Sequence, residues 1–190
     1  MDQLCIDMVE SPERVKALAE RAITDFETVY DHFDAMLKAR GQPSSSWMGI
    51  PSFGRMHIPS CDFAALVSPK LFREYGLPIL EREVQSMTHN IFHLDGKGVA
   101  RHLDTILSVP EVHAIQWVHG VGDDQPIMQW VPFIKTLQAR GVPIVVDLSK
   151  SELEEFTAAM NPEGLFLWVA TESEEEESAL LRKIEGWTGR

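Results

Sequence analysis

The second half of the chain repeats one pattern: a short, almost continuous apolar run, a polar turn, then a stretch with helical spacing. The runs are Asn90-Ile91-Phe92-His93-Leu94, Ala114-Ile115-Gln116-Trp117-Val118, Pro143-Ile144-Val145-Val146-Asp147 and Leu165-Phe166-Leu167-Trp168-Val169. Strands that are apolar on both faces belong in a covered sheet, and strands alternating with helices make that sheet parallel. The helices between and after them are expected over residues 99–107, 126–139 and 151–160, with a last one reaching Trp187. That last helix opens on Glu174, Glu175, Glu176 and Glu177, where carboxylates meet the positive end of the helix dipole.

The first half sets up the same arrangement less regularly. Ser11-Pro12-Glu13 reads as a helix start, and apolar residues from Val15 through Phe26 to Leu37 keep helical spacing until Gly41 and Pro43. Ser46-Trp47-Met48-Gly49-Ile50 is read as the first strand, and a loop from Pro51 to Ser68 follows. Ser68-Pro69 starts a second helix that runs to Val84 with a kink at Pro78. No glycine-rich dinucleotide fingerprint and no phosphate loop follows any strand, which disfavours a nucleotide-binding Rossmann fold. The expectation is a single α/β domain over residues 1–190: a parallel (β/α) barrel of about five strand–helix units. A complete barrel has eight strands and typically about 250 residues, so this one is incomplete, or a partner or a longer chain supplies the rest.

Composition narrows the function classes. The formal net charge of -12 and a pI near 4.9 oppose binding to phosphate backbones and anionic membranes. The two cysteines, Cys5 and Cys61, make no CxxC pair and no disulfide framework, which fits a reducing compartment. The N-terminal residues have neither a basic nor an apolar targeting segment, and no apolar run approaches the roughly 20 residues that span a bilayer. The expected location is the cytoplasm.

Two segments resemble a known superfamily. Phe63-Ala64-Ala65-Leu66-Val67-Ser68-Pro69-Lys70-Leu71-Phe72-Arg73-Glu74-Tyr75-Gly76-Leu77-Pro78 and Phe92-His93-Leu94-Asp95-Gly96 resemble, in pattern and spacing, the C-terminal half of the uroporphyrinogen decarboxylase and cobalamin-dependent methyltransferase superfamily. The resemblance implies a (β/α) barrel with its site at the C-terminal mouth. In the methyltransferase branch it implies a zinc held by a His and a Cys at one strand end and a Cys at the last, with a corrinoid as methyl carrier. His93 stands at the His position, Asp95 replaces the first Cys, and the last strand ends in Ala170-Thr171-Glu172. The resemblance therefore leaves a harder zinc site of His93, Asp95 and Glu172. The decarboxylase branch keeps its arginines and catalytic Asp in N-terminal strands outside this sequence.

Strand ends also nominate side chains by position. His93 and Asp95, two residues apart, share a strand face and suit metal binding or acid–base work; the alternative is a buried His hydrogen-bonded to Asp95. Asp147 is a catalytic candidate or a helix cap, and Gln116 and His119 are substrate-binding candidates, with Trp117 beside them as core. The long loop offers Arg55 for an anion, His57 and Asp62 for substrate, and Cys61 as a further metal-capable group; alternatively it is a structural loop held by Phe53 and Phe63. His32, His89, His102 and His113 are read as solvent-facing or structural. Two functions follow: a methyltransferase-like or decarboxylase-like enzyme acting on a small anionic molecule, or a non-catalytic partial barrel that assembles with itself or a partner chain.

Overall fold

The structure, a computed structural model, describes residues 2–188, which group into two compact units, one ending at His113 and the other beginning at Ala114. The first unit opens with three helices, α1 (Asp2–Glu10), α2 (Pro12–Ile23) and α3 (Phe26–Lys38). The single helix expected from Ser11 to Leu37 is thus two. It breaks at Asp25, whose φ of -99° and ψ of 2° leave the helical region, while the Thr24 hydroxyl turns back to the Glu20 carbonyl at 2.7 Å. Helix α1 was not anticipated; Met8 is its one buried side chain.

The expected strand over residues 46–50 is a turn. It joins β1 (Ser44–Ser45) to β2 (Pro51–Ser52), which pair antiparallel. Gly49 has a φ of +70° and donates to the Ser46 carbonyl at 3.0 Å, a backbone path that a strand cannot follow. Buried Met48 pins the turn, and Trp47 stays 63% exposed. The first parallel strand lies instead inside the expected loop, as β3 (Met56–His57) beside β4 (His89–Asp95).

A 3₁₀ turn over Asp62–Leu66 leads to α4 (Pro69–Leu71), capped by the Ser68 hydroxyl, which accepts from the Leu71 N–H at 3.3 Å. The chain then makes a π-helical turn, Phe72–Gly76, before α5 (Leu77–Val84). The wider turn lets the Leu77 N–H reach the Phe72 carbonyl, just ahead of Pro78, which has no N–H of its own to donate. After β4 come the short helices α6 (Gly96–Ala100) and α7 (Leu103–Ile106).

The second unit carries the pattern read from the sequence. Strands β5 (Ala114–Val118), β6 (Ile144–Asp147) and β7 (Leu165–Trp168) are parallel in that order, with Val146 opposite both Trp117 and Leu167. They alternate with α8 (Val131–Ala139), α9 (Leu153–Ala159) and α10 (Glu174–Thr188). Ile115, Trp117, Val146, Ile134, Leu137 and Phe156 are fully buried and form its core. Each unit is therefore α/β, with parallel strands interleaved with helices, five such strands in the two units together. No helix of the described residues is long and apolar enough to cross a membrane.

In the first unit, one buried polar side chain ties β4 to its surroundings. The Asn90 Nδ2 donates to the Val84 carbonyl at 3.3 Å and to the Glu111 carbonyl at 2.9 Å, closing the end of α5 and the turn before His113. Asn90→Ala is expected to lower unfolding free energy by about 1–3 kcal/mol, because two carbonyls lose their partner in a dry site. Urea titration at unchanged m-value is the measurement; an unchanged midpoint would refute this role.

Candidate metal centre

Strand β4 presents two unlike faces. Asn90, Phe92 and Leu94 are buried, while Ile91, His93 and Asp95 alternate with them and stay partly accessible. His93 and Asp95 therefore point the same way, as residues two apart on a strand must. Gly96 ends the strand at a φ of +73°, a conformation that L side chains rarely adopt.

The third member arrives from the segment that runs alongside. Parallel pairing begins at Met56 opposite His89 and continues to an isolated bridge between Ser60 and His93. The His93 N–H donates to the Pro59 carbonyl at 2.9 Å, so the backbone of residues 59–60 is fixed against the imidazole-bearing residue. Asp62 then opens the 3₁₀ turn, and the Ser60 hydroxyl donates to its Oδ1 at 3.0 Å. One donor atom each from Asp62, His93 and Asp95 lie within 4.8 Å of one another. Trp47 stands edge-on to the His93 ring, 5.7 Å between centroids. Asp62 is exposed, and His93 and Asp95 are half-buried, so the cluster is open to solvent on one side.

The other loop candidates are engaged elsewhere. Arg55 donates to the Ser86 carbonyl at 2.7 Å and to Asp31, lies 3.5 Å from Glu27, and packs over the Tyr30 ring at 5.0 Å. This guanidinium anchors the loop, a role the sequence suggested for Phe53 and Phe63; Phe53 is 69% exposed, and Phe63 is half-buried. His57 packs on the Phe26 ring at 4.8 Å and lies 3.7 Å from Glu83. His102 is structural: buried, 2.9 Å from the Ala64 carbonyl and stacked on Phe72, with burial depressing its pKa. His113 accepts from the Asn90 N–H at 3.1 Å; His32 and His89 are exposed.

In the second unit, Gln116 and Trp117 are buried, and Trp117 packs against Trp130 and Phe133 at 5.0 and 4.6 Å. His119 and Asp147, at the C-terminal ends of β5 and β6, line a cleft of about 770 Å³ together with Glu152 and Trp168. Glu152 was missed, although Ser149-x-x-Glu152 ahead of a helix is a capping-box pattern. Its carboxylate accepts from the Ser149 hydroxyl at 2.6 Å and N–H at 3.3 Å, and from the Ile127 N–H at 2.7 Å. Glu172 also belongs to this unit; it is 91% exposed and 3.7 Å from Lys150, ahead of the Ser173–Glu176 cap of α10.

No protein-family model, no curated protein and no solved structure matches the chain. The resemblance to the decarboxylase and methyltransferase superfamily thus rests on the two sequence segments alone.

Burial is the largest influence on Glu152 and opposes its ionisation, but the Ser149 hydroxyl, the Ile127 and Ser149 N–H groups and His119 together outweigh it and lower its pKa below 4.5. A carboxyl depressed on folding stabilises the fold above its unfolded pKa, and the contribution fades as pH falls through the folded value. Glu152→Gln is accordingly expected to destabilise the protein at pH 7, with the difference from wild type shrinking below pH 4.5. Unfolding curves across that range test it; a difference independent of pH would refute it.

Proposed function

We propose that Asp62, His93 and Asp95 hold a divalent metal ion, zinc foremost, and that the chain is a metal-dependent enzyme of the uroporphyrinogen decarboxylase type acting on a small anionic molecule. The observation that carries this reading is the convergence of one imidazole and two carboxylates, drawn from two chain segments, within 4.8 Å. Three protein donors with further positions open is the arrangement of catalytic rather than structural zinc sites. One nitrogen and two oxygens make a harder donor set than thiolates, suited to zinc and also to manganese.

Cys61 does not restore the thiolate that the superfamily's methyltransferases use. It lines an apolar cavity, and burial raises its pKa, keeping the thiol protonated. When bound, the metal would act as a Lewis acid toward a substrate oxygen or a water. The chain's own residues supply the rest. Ser60 orients Asp62, the Pro59 carbonyl fixes the His93 backbone, and Trp47 limits the turning of the imidazole. Two carboxylates balance a divalent charge, so an anionic substrate meets no net repulsion at the open positions. Arg55 is already neutralised by Asp31 and Glu27, which supports the metal as the anion's anchor. A corrinoid partner rests on the resemblance alone.

A second reading has its own observation. Strand β7 pairs with β6 alone among the described residues, and its Phe166 and Trp168 are 43% and 46% exposed on one face. Unpaired edges bearing apolar side chains are normally covered. Coverage by a second copy of the chain, or by a partner completing the sheet, accounts for both features.

Chelator-treated protein titrated with zinc by calorimetry is expected to bind one ion. Asp62→Asn and His93→Ala are each expected to weaken binding by about 10–100-fold or more, the scale seen on disturbing even outer-shell partners. Wild-type-like affinity in both variants would defeat the metal reading. For the assembly, light scattering is expected to give a dimer that Trp168→Asp converts to monomer; a wild-type monomer would refute it.

A further inference from the structure

The face of β4 opposite His93 and Asp95 borders a cavity of about 360 Å³ in the first unit. Its walls come from α1, α2, the α4–α5 segment and β4, through side chains such as Met8, Leu18, Phe72, Ile79 and Phe92. The few polar groups in the wall are largely committed. The Tyr75 hydroxyl donates to the Met8 carbonyl at 2.6 Å, Ser60 donates to Asp62, and Glu83 lies by His57. Cys61 is half-buried and in no disulfide.

The hollow is half open to solvent, and its almost wholly apolar wall is surface that the chain itself leaves unpacked. Water fills such a space poorly, because an ordered water needs two to four polar partners. The volume is more than twice the ~150 Å³ of an apolar cavity that holds benzene, and lies within the range of small-molecule pockets. Leu4 and Leu18 in the wall remain 39% and 54% exposed, so the cavity can be reached from solvent. The wall contains no cation, and its one carboxylate, Glu83, repels anions.

We propose that this cavity is a binding site for a small, uncharged, apolar molecule of two to three fused or linked rings, separate from the metal cluster. Segment Ser60-Cys61-Asp62 serves both: Ser60 and Cys61 line the cavity while Asp62 belongs to the cluster. The site does not depend on the metal.

The test uses N-phenyl-1-naphthylamine, uncharged and fluorescent in apolar surroundings, beside its sulfonated analogue 1-anilinonaphthalene-8-sulfonate. The uncharged probe is expected to bind saturably, one per chain, in wild type and in His93→Ala alike. The sulfonate is expected to bind roughly tenfold or more weakly, since the wall offers no counter-charge. Ala19→Trp, which fills the cavity, is expected to abolish binding. As a readout free of that variant's folding, the bound probe is expected to shift the methyl NMR signals of Met8, Leu18 and Ile79, which line the cavity. Absence of saturable binding, equal binding of both probes, or unshifted signals of these methyls at probe saturation would each overturn the proposal.

Discussion

The parallel pairing of the segment from Met56 to Ser60 against β4 is the constraint on which the first unit depends. A strand fixes which residues share a face, and a one-residue slip would exchange those faces. With Met56 opposite His89 and Ser60 opposite His93, the core receives Phe92 and Leu94, and the other face receives His93 and Asp95. The same register brings Asp62 to the strand end two residues after the bridge. Arg55 holds the start of this segment to Ser86 and α3, and the Pro59 carbonyl holds its far end. The cluster and the apolar cavity are two consequences of one register.

Much of the scaffold was legible because its signals are local. Continuous apolar runs located β4, β5, β6 and β7, and the glutamates before residue 178 located the start of α10. His93 and Asp95 were legible as a same-face pair because alternation along a strand is a property of the backbone. The first strand was misplaced because Trp47, Met48 and Ile50 resemble a strand, whereas Gly49 adopts a left-handed turn and the adjacent loop pairs with β4 only over Met56 and His57 and at an isolated bridge from Ser60.

The missing information is long-range. Asp62 was visible as an acidic group in a loop, but nothing local says that its loop pairs beside a strand beginning 27 residues later. Strand-end order favoured Glu172 as the third ligand; the structure instead gathers Asp62 with His93 and Asp95, and places Glu172 by Lys150 in the second unit. Arg55 shows the converse. A lone arginine in a long loop suggests an anion site, and only the positions of Asp31, Glu27 and Ser86 reveal that its charge and donors serve the fold.

X-ray absorption at the zinc edge of zinc-loaded protein reads directly which atoms surround a bound ion. A site built of Asp62, His93 and Asp95 predicts a shell of nitrogen and oxygen at about 2.0–2.2 Å, with imidazole scattering that disappears in His93→Ala. A sulfur contribution near 2.3 Å would place a thiolate where Asp62 and Asp95 are claimed to bind, and would contradict it.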